Sequence, residues 1–244
     1  MKGQRLSIYR AAAKVAGRIG AALLPQDCLL CGAVAGAQLL CSACTDSLPR
    51  LPHSLCPVCA LPSPANGTCG ACLSHTPFYD ATLAGFRYDF PIDRLVQALK
   101  YDHRLAIAPW FATVLLPSPP LEGDLLLAMP LSNMRLSERG FNQALEIARP
   151  LARALGLPLA TTACTRMQDG PPQASLPWAE RQKNVRGVFE CGQDLAGKSV
   201  IVIDDVMTTG ATLNEFARTL KKHGARRVTN WVVARTLTSQ DWPP

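Results

Sequence analysis

The segment that most constrains the fold is an apolar run followed at once by two carboxylates and a glycine-containing turn. Residues 200–203 are Val-Ile-Val-Ile, and Asp204 and Asp205 follow directly before Val-Met-Thr-Thr-Gly-Ala-Thr. Four consecutive β-formers cannot alternate between core and solvent, so the pattern predicts a strand covered on both sides, as in a parallel α/β sheet. The apolar spacing over residues 213–220 predicts a helix immediately after the turn.

The composition of this turn suits a phosphorylated ribose. Unpaired N–H groups and the dipole at a helix start favour an anion, and glycine permits close approach of a ligand to the backbone. Threonine hydroxyls add donors, while two adjacent carboxylates suit the vicinal diol of a ribose, with or without Mg²⁺. The residues predicted to form this site are Asp204, Asp205, Thr208, Thr209, Gly210, Ala211 and Thr212.

Two other interpretations of this segment stay open. An aspartate pair after a strand also holds metal in phosphoacceptor domains, and Thr-Thr-Gly also occurs as an ordinary helix cap. All thirteen residues from 200 to 212 nevertheless fit one pattern. They resemble the phosphoribosyl diphosphate motif of type I phosphoribosyltransferases.

Eight of the ten cysteines form four Cys-x2-Cys pairs. Nine residues separate the two pairs within each half and eleven separate the halves, which indicates an internal duplication. Two such pairs supply the four thiolates of a closed tetrahedral zinc shell, so we predict two structural Zn²⁺ sites. The expected ligands are Cys28, Cys31, Cys41, Cys44, Cys56, Cys59, Cys69 and Cys72.

Four disulfides are the competing interpretation of this spacing. They require an oxidising compartment and normally a signal peptide, but basic residues interrupt the whole of residues 1–20. No apolar run approaches transmembrane length, so we predict a cytoplasmic zinc protein. His53 and His75 are surplus as ligands. Cys164 and Cys191 lie outside the pairs and are predicted to be buried structural thiols, with a redox or ligand role as the alternative.

Three segments are predicted: a basic amphipathic helix over residues 1–24, a double zinc ribbon over 25–75 and an α/β domain over 76–244. Zinc compensates for the small core of the ribbon, whereas the core of the larger domain is expected not to depend on the cysteines. Residues 1–20 carry five Lys or Arg and no acid, in a chain of net charge +7. Such a helix would bind nucleic acid, an anionic membrane or an acidic partner. Alternatively, it would pack on the zinc ribbon with its charged face in solvent. A mitochondrial transit peptide shares the same character.

A second candidate anion site follows a predicted short strand at residues 125–129. The predicted loop over residues 131–139 carries Ser132, Arg135 and Arg139 and leads into a helix. A strand, a basic polar loop and a helix again form anion-binding geometry. Before this site the pattern predicts a strand over 81–88 and helices over 92–100 and 105–115.

The segment Arg135-x3-Arg139-Gly-Phe-Asn-Gln-Ala is similar to the signature of the ComF/GntX family. This family of competence-associated proteins joins a double zinc ribbon to a phosphoribosyltransferase domain. Other segments fit the family in the same order: Leu23-Leu24-Pro25, Leu99-Lys100-Tyr101, Arg166-x6-Gln173, Arg181-x2-Asn184-Val185 and Gly187-x-Phe189. The resemblance therefore spans most of the chain.

The resemblance implies a type I phosphoribosyltransferase-like twisted parallel sheet flanked by helices. It implies that phosphoribosyl diphosphate binds with Mg²⁺, with Asp204 and Asp205 on the ribose and residues 208–212 on the 5-phosphate. The loop over residues 132–139 would bind the leaving diphosphate through Arg135 and Arg139. A mobile segment would cover the site over residues 166–184.

The resemblance also implies a role in competence and DNA uptake. The chain is then either a transferase with an unknown acceptor or a non-catalytic adaptor for single-stranded DNA or a recombination partner. Only 6% of the residues are aromatic, so no stacking platform for bases is evident. Arg181 and Lys183 belong either to a closing lid or to a solvated helix face.

Overall fold

A computed structural model describes residues 26–116, 122–167 and 187–237 of the chain. The helix predicted over residues 1–24 lies outside the described residues, as do Arg181 and Lys183. The chain divides into two compact units, the first ending at Leu48 and the second beginning at Pro49. The first four cysteines of the Cys-x2-Cys pairs therefore belong to one unit and the last four to the other.

The first unit is a small ribbon. Strands β1 (Gln26–Asp27) and β2 (Val34–Gly36) pair antiparallel, and the helix α1 (Ser42–Asp46) follows. The second unit opens with a similar segment, in which a 3-10 turn at Pro64–Asn66 precedes helix α2 (Gly70–Ser74).

The two cysteine segments share two local features, as an internal duplication predicts. The first pair of each segment forms a tight turn, in which Cys28 N–H donates to Ala33 O at 2.7 Å and Cys56 N–H donates to Leu61 O at 2.7 Å. The second pair opens the short helix of each segment, with Cys41 at the N-cap of α1 and Cys69 at the N-cap of α2.

The rest of the second unit contains the predicted parallel sheet. After α2 the elements are β3 (Ala81–Arg87), α3 (Ile92–Tyr101), α4 (Ile107–Leu115), β4 (Leu125–Ala128), α5 (Asn133–Arg139), α6 (Gln143–Leu155), β5 (Cys164–Arg166), β6 (Phe189–Cys191), β7 (Ser199–Met207), α7 (Ala211–Lys222) and β8 (Arg227–Arg235). Strands β3, β8, β7 and β4 lie side by side in this order, and every neighbouring pair is parallel. Strands β5 and β6 form a separate antiparallel pair.

Helices flank this sheet, which confirms the predicted α/β architecture. Residues 200–205 of the central strand β7 are all buried, as expected of a strand covered on both faces. Helix α6 packs on β4 and β7, and helix α7 packs on β8 and β6. Val200 and Val202 of β7 share a core with Phe216 of α7.

Three expectations need correction. Strand β7 continues through Met207, so Asp204 and Asp205 lie within its last half rather than after it. Residues 133–139, predicted as a loop, form helix α5 because Ser132 accepts a hydrogen bond from Arg135 N–H and caps it. The core of the larger unit does include cysteines, since Cys56, Cys59 and Cys72 pack in it.

Candidate functional site

Two groups of four cysteines bring their sulfur atoms together. Within each group the Sγ atoms all lie within 4.8 Å of one another. The first Cys-x2-Cys pair joins the second, and the third joins the fourth. Four thiols fit the closed tetrahedral shell of a structural zinc ion, so these clusters are suited to Zn²⁺. The members of the two groups are Cys28, Cys31, Cys41 and Cys44, and Cys56, Cys59, Cys69 and Cys72.

The backbone prepares one thiolate in each cluster. Burial opposes ionisation of Cys28 and Cys56, but surrounding N–H groups outweigh it and lower the pKa of Cys28 to about 6 and that of Cys56 to about 7. The negative charge of such a thiolate opposes ionisation of a neighbouring thiol. Hydrogen bonds with Cys31 and Cys41 raise the pKa of Cys44 to about 12. A bound cation removes this mutual repulsion.

A cavity of about 350 Å³ opens at the carboxyl ends of β7 and β4. In parallel α/β sheets this edge is where ligands bind. The cavity is lined by the end of β7, the start of α7, the residues after β4, helix α5 and the end of α3. Of the predicted site residues, it brings together Asp204, Asp205, Arg135, Arg139, Thr208, Gly210, Ala211 and Thr212.

Two predicted residues lie apart from this cavity. Thr209 lines a neighbouring cavity of about 750 Å³, and its Oγ1 accepts a hydrogen bond from Ala211 N–H at 3.4 Å. Ser132 is buried and its oxygen caps α5. Its part in binding a ligand stays a prediction.

The turn between β7 and α7 contains a glycine whose conformation lets a ligand approach the backbone closely. Gly210 has a φ of +79°, in the left-handed region. A Cβ atom at this position would lie 2.6 Å from Cε of Met207 and 3.1 Å from Oη of Tyr79. Thr212 and Leu213 line the cavity at the first turn of α7, where backbone N–H groups have no partner within the helix. The helix start therefore presents donors and its positive dipole end to the cavity.

The carboxylate pair is buried and unequal. Asp205 Oδ1 accepts a hydrogen bond from Gln143 Nε2 at 3.1 Å, and Oδ2 forms an ion pair with Lys100. Asp204 Oδ1 accepts from the backbone N–H of Asp205 at 2.9 Å. Only Asp205 therefore has a cationic partner among these contacts.

This difference separates the protonation states of the pair. Burial raises the pKa of Asp205, but the Lys100 charge and the hydrogen bonds from Lys100 and Gln143 outweigh it, so the pKa lies below its usual value. Burial and the adjacent Asp205 charge raise the pKa of Asp204 well above its usual value. Burial lowers the pKa of Lys100, but the charge of Asp205 and its hydrogen bond with Lys100 raise it by more, so the pKa lies above its usual value.

Two arginines of α5 also line the cavity. Arg135 and Arg139 project from α5, and Arg139 Nη1 donates to Gln143 Oε1. The guanidinium of Arg139 also lies over the ring of Tyr101, 5.3 Å from its centroid. Hydrogen bonds and the ion pair thus connect α5, α6, β7 and α3 across the floor of the cavity.

Arg166, the first residue of the segment expected to cover the site, also lines the cavity. Lys100 and Gln143 line it too, and the sequence pattern predicted no individual role for either. Lys100 and Gln143 lie within the segments that resemble the ComF/GntX family, and this was the available signal. A single lysine at the end of the amphipathic helix α3 otherwise looks like a solvated residue. Its approach to Asp205 depends on packing between α3 and the sheet, which spacing does not encode.

No helix in the described part of the chain is long and apolar enough to cross a membrane.

Comparisons with known proteins agree with this architecture. The profile of the phosphoribosyl transferase domain matches residues 142–241, and that of the double zinc ribbon domain matches residues 19–73. The DNA utilization protein YhgH of Salmonella typhi is 33% identical over 208 residues, which cover 81% of this chain and 91% of that protein.

Two competence proteins are also similar. Competence protein F of Haemophilus influenzae is 27% identical, with 80% of this chain and 90% of that protein covered. Competence protein ComFC of Bacillus subtilis is 25% identical, with 82% of this chain and 85% of that protein covered. With a double zinc ribbon, a phosphoribosyltransferase domain and these relatives, the chain belongs to the ComF/GntX family of competence-associated proteins.

Proposed function

We propose that the chain binds phosphoribosyl diphosphate together with Mg²⁺ in the cavity at the carboxyl edge of the sheet. One observation carries this proposal: a single cavity contains a helix start, a buried carboxylate pair and two arginines, which come from separate segments of the chain. These groups match a 5-phosphate, a ribose diol and a diphosphate, respectively.

The ligand would lie across the cavity between α7 and α5. Thr208, Gly210, Ala211 and Thr212 would bind the 5-phosphate through backbone N–H groups and hydroxyls. Thr209, which lines the neighbouring cavity, would add its backbone N–H. Asp204 and Asp205 would accept hydrogen bonds from the ribose diol, which needs acceptors. Arg135 and Arg139 would bind the diphosphate, with Ser132 holding Arg135 in place through the cap of α5.

The carboxylate pair fits a magnesium ion that accompanies the ligand. Mg²⁺ is commonly held by one or two carboxylates together with substrate phosphates and water. Asp204 and Asp205 line the same cavity as the two arginines, so their carboxylate oxygens lie beside the position proposed for the diphosphate. When bound, the ion would neutralise charge on the diphosphate.

The residues also suit transfer of the phosphoribosyl group. The bond between the anomeric carbon and the diphosphate oxygen would break, its electron pair would leave with the diphosphate, and an acceptor would bond to the carbon. Nearby carboxylates stabilise the oxocarbenium-like charge, and Arg135 and Arg139 stabilise the departing anion.

Calorimetric titration of zinc-replete protein with phosphoribosyl diphosphate and Mg²⁺ tests this proposal. We expect saturable binding that the double variant Asp204→Asn, Asp205→Asn loses. Asp194→Asn removes a carboxylate that is exposed and outside the cavity, so it should bind as wild type does. Absence of binding by well-folded wild type would reject the proposal.

A second candidate function is binding of single-stranded DNA or a competence or recombination partner. Relatives named for DNA utilization and competence, a net charge of +7 and the basic residues near the N-terminus favour it. Affinity for single-stranded DNA should then weaken steeply with salt. A full-length variant with glutamine at Lys2, Arg5, Arg10, Lys14 and Arg18 should show a shallower salt slope, and an unchanged slope would count against contact through this segment.

A further inference from the structure

A buried arginine joins the second cysteine cluster to the turn between β7 and α7 (residues 207–212), which is called the phosphate-binding turn below after the function proposed for it. Arg235, at the end of β8, is 4% exposed. Its Nε donates to the backbone oxygen of Cys59 at 3.0 Å. Its Nη1 donates to the backbone oxygens of Met207, at 3.0 Å, and Thr208. One rigid guanidinium therefore holds carbonyl groups from both places.

The cysteine turn is fixed on both sides. Cys59 closes the third Cys-x2-Cys pair, so metal held by Cys56 and Cys59 would set the direction of the carbonyl groups between and beside them. Pro57 O, in the same turn, accepts from Thr82 N–H of β3 at 3.2 Å. The cluster is thus attached to β3 through Pro57 and to β8 through Cys59.

A tyrosine forms a second connection. Tyr79 is 6% exposed and lines the 750 Å³ cavity together with Cys59 and Cys72. Its Oη is 3.1 Å from the position that a Cβ of Gly210 would take, so the ring packs directly against the turn. Interiors are close-packed, so a shift of the cluster must move this contact as well.

We propose that Arg235 is a positioning residue, through which the second cysteine cluster, when it holds metal, sets the backbone of the phosphate-binding turn. The part of this inference that concerns ligand affinity rests on the proposed function. The part that concerns the turn itself does not. Loss of either the arginine or the metal should loosen the turn while leaving the diphosphate side of the cavity intact.

Hydrogen exchange measured by mass spectrometry tests the turn without any ligand. In Arg235→Met we expect exchange in peptides covering residues 207–212 to rise about tenfold, because local opening loses charge-assisted hydrogen bonds. Peptides covering α5 should not change. Arg227→Met, at the exposed start of the same strand, is the matched control and should behave as wild type does.

A cluster variant tests the role of the metal. Cys72→Ser should lower the zinc content by one ion per chain and raise exchange over the same residues, although Arg235 is unchanged. Peptides from residues 200–205 of β7 report whether the sheet is still folded. Unchanged exchange in the turn after zinc loss, with a folded sheet, would overturn the coupling. If Arg235→Met fails to fold, Arg235→Lys, which keeps the charge, replaces it as the test of the arginine.

Ligand affinity separates positioning from general destabilisation. Arg235→Met should bind ribose 5-phosphate about tenfold more weakly, whereas its affinity for inorganic pyrophosphate, which Arg135 and Arg139 would bind, should stay within about twofold. Equal loss of both affinities would show a merely structural role and overturn the inference. If wild type binds neither ligand, the proposed function fails, and hydrogen exchange alone decides the coupling.

Discussion

At the scale of single residues, the charged form of Asp204 is disfavoured in the ligand-free cavity by burial and by the adjacent Asp205 charge. Asp204 is 9% exposed, it adjoins the ionised Asp205, and its backbone hydrogen bond comes from Asp205 N–H. Burial of such a group opposes folding unless a ligand or metal compensates it. Functional carboxylates are commonly kept in environments of this kind.

Asp204→Asn should stabilise the ligand-free protein. Burial raises the pKa of Asp204, and the adjacent Asp205 charge raises it further. The protonated side chain therefore contributes its full stability below the unfolded pKa of about 3.9. This contribution is lost as the pH rises through the pKa of the folded protein. We expect the unfolding temperature at pH 8 to rise by roughly 2–4 °C for each kcal/mol of relief. The gain over wild type should shrink at pH 5. A lower unfolding temperature for the variant at both pH values would contradict the assigned burial cost.

Asp205→Asn should have the opposite effect. It leaves the ammonium of Lys100, whose side chain is 20% exposed, without its carboxylate partner. Removing one member of a buried pair costs about 3–5 kcal/mol, and we expect the lower end because Lys100 is partly solvated. Lys100→Met combined with Asp205→Asn should recover part of this loss in chemical unfolding. If the double variant is no more stable than Asp205→Asn alone, the two residues are not coupled.

At the scale of elements, the turn from β7 to α7 joins the end of a strand to the start of a helix through a glycine in the left-handed region. Gly210 has little room, since Met207 and Tyr79 occupy the space beside it. The sequence predicted this element in type and place because four β-formers, two acids and Thr-Thr-Gly each act locally. The exact end of β7 was not predictable, since pairing with β8 extends it to Met207.

Gly210→Ala should weaken both the turn and the binding of phosphate that we propose for it. The methyl group would meet Cε of Met207 at 2.6 Å, and alanine is strained at a φ of +79°. Together these effects should lower stability by about 1–3 kcal/mol. Ribose 5-phosphate affinity should fall more than pyrophosphate affinity in the same calorimetric comparison. Equal stability of Gly210→Ala and wild type would show that the turn relaxes without cost.

Helix α5 lies where the sequence pattern predicts a loop. Its polar and basic composition suggested a loop, but Ser132 caps its start and Gly140, with a φ of +77°, ends it. A serine and a glycine that bracket seven residues are helix signals, and they were present in the sequence. Helix formation places Arg135 and Arg139 one turn apart, on a side of α5 that lines the cavity.

At the scale of the whole molecule, the duplicated cysteine segments have unequal partners. The first cluster belongs to the unit that ends at Leu48, whereas the second shares a hydrophobic core with the sheet. Spacing alone predicted two four-cysteine sites and their eight ligands, but it left open which Cys-x2-Cys pairs share a site. It did not predict that Cys56, Cys59 and Cys72 pack with residues far along the chain, because tertiary burial is not encoded in a Cys-x2-Cys interval. The division into residues 1–24, 25–75 and 76–244 stays a prediction.

Single cysteine variants should therefore differ in their effect on the sheet. Cys28→Ser and Cys56→Ser should each lower the zinc content from two ions per chain to one. Only Cys56→Ser should lower the temperature at which the sheet unfolds, measured by exchange of residues 200–205. Equal destabilisation of the sheet by both variants would contradict this assignment of the clusters to separate cores.

The measurement that tests the central claim most directly is ³¹P NMR of phosphoribosyl diphosphate with Mg²⁺ and zinc-replete protein. The signals of the 5-phosphate and of the diphosphate are distinct, so each end of the ligand reports on its own contacts. We predict that wild type shifts or broadens both sets. Arg135→Met with Arg139→Met should lose the effect on the diphosphate first, and Gly210→Ala the effect on the 5-phosphate. Unperturbed signals with folded wild-type protein would contradict a site for this ligand in the cavity.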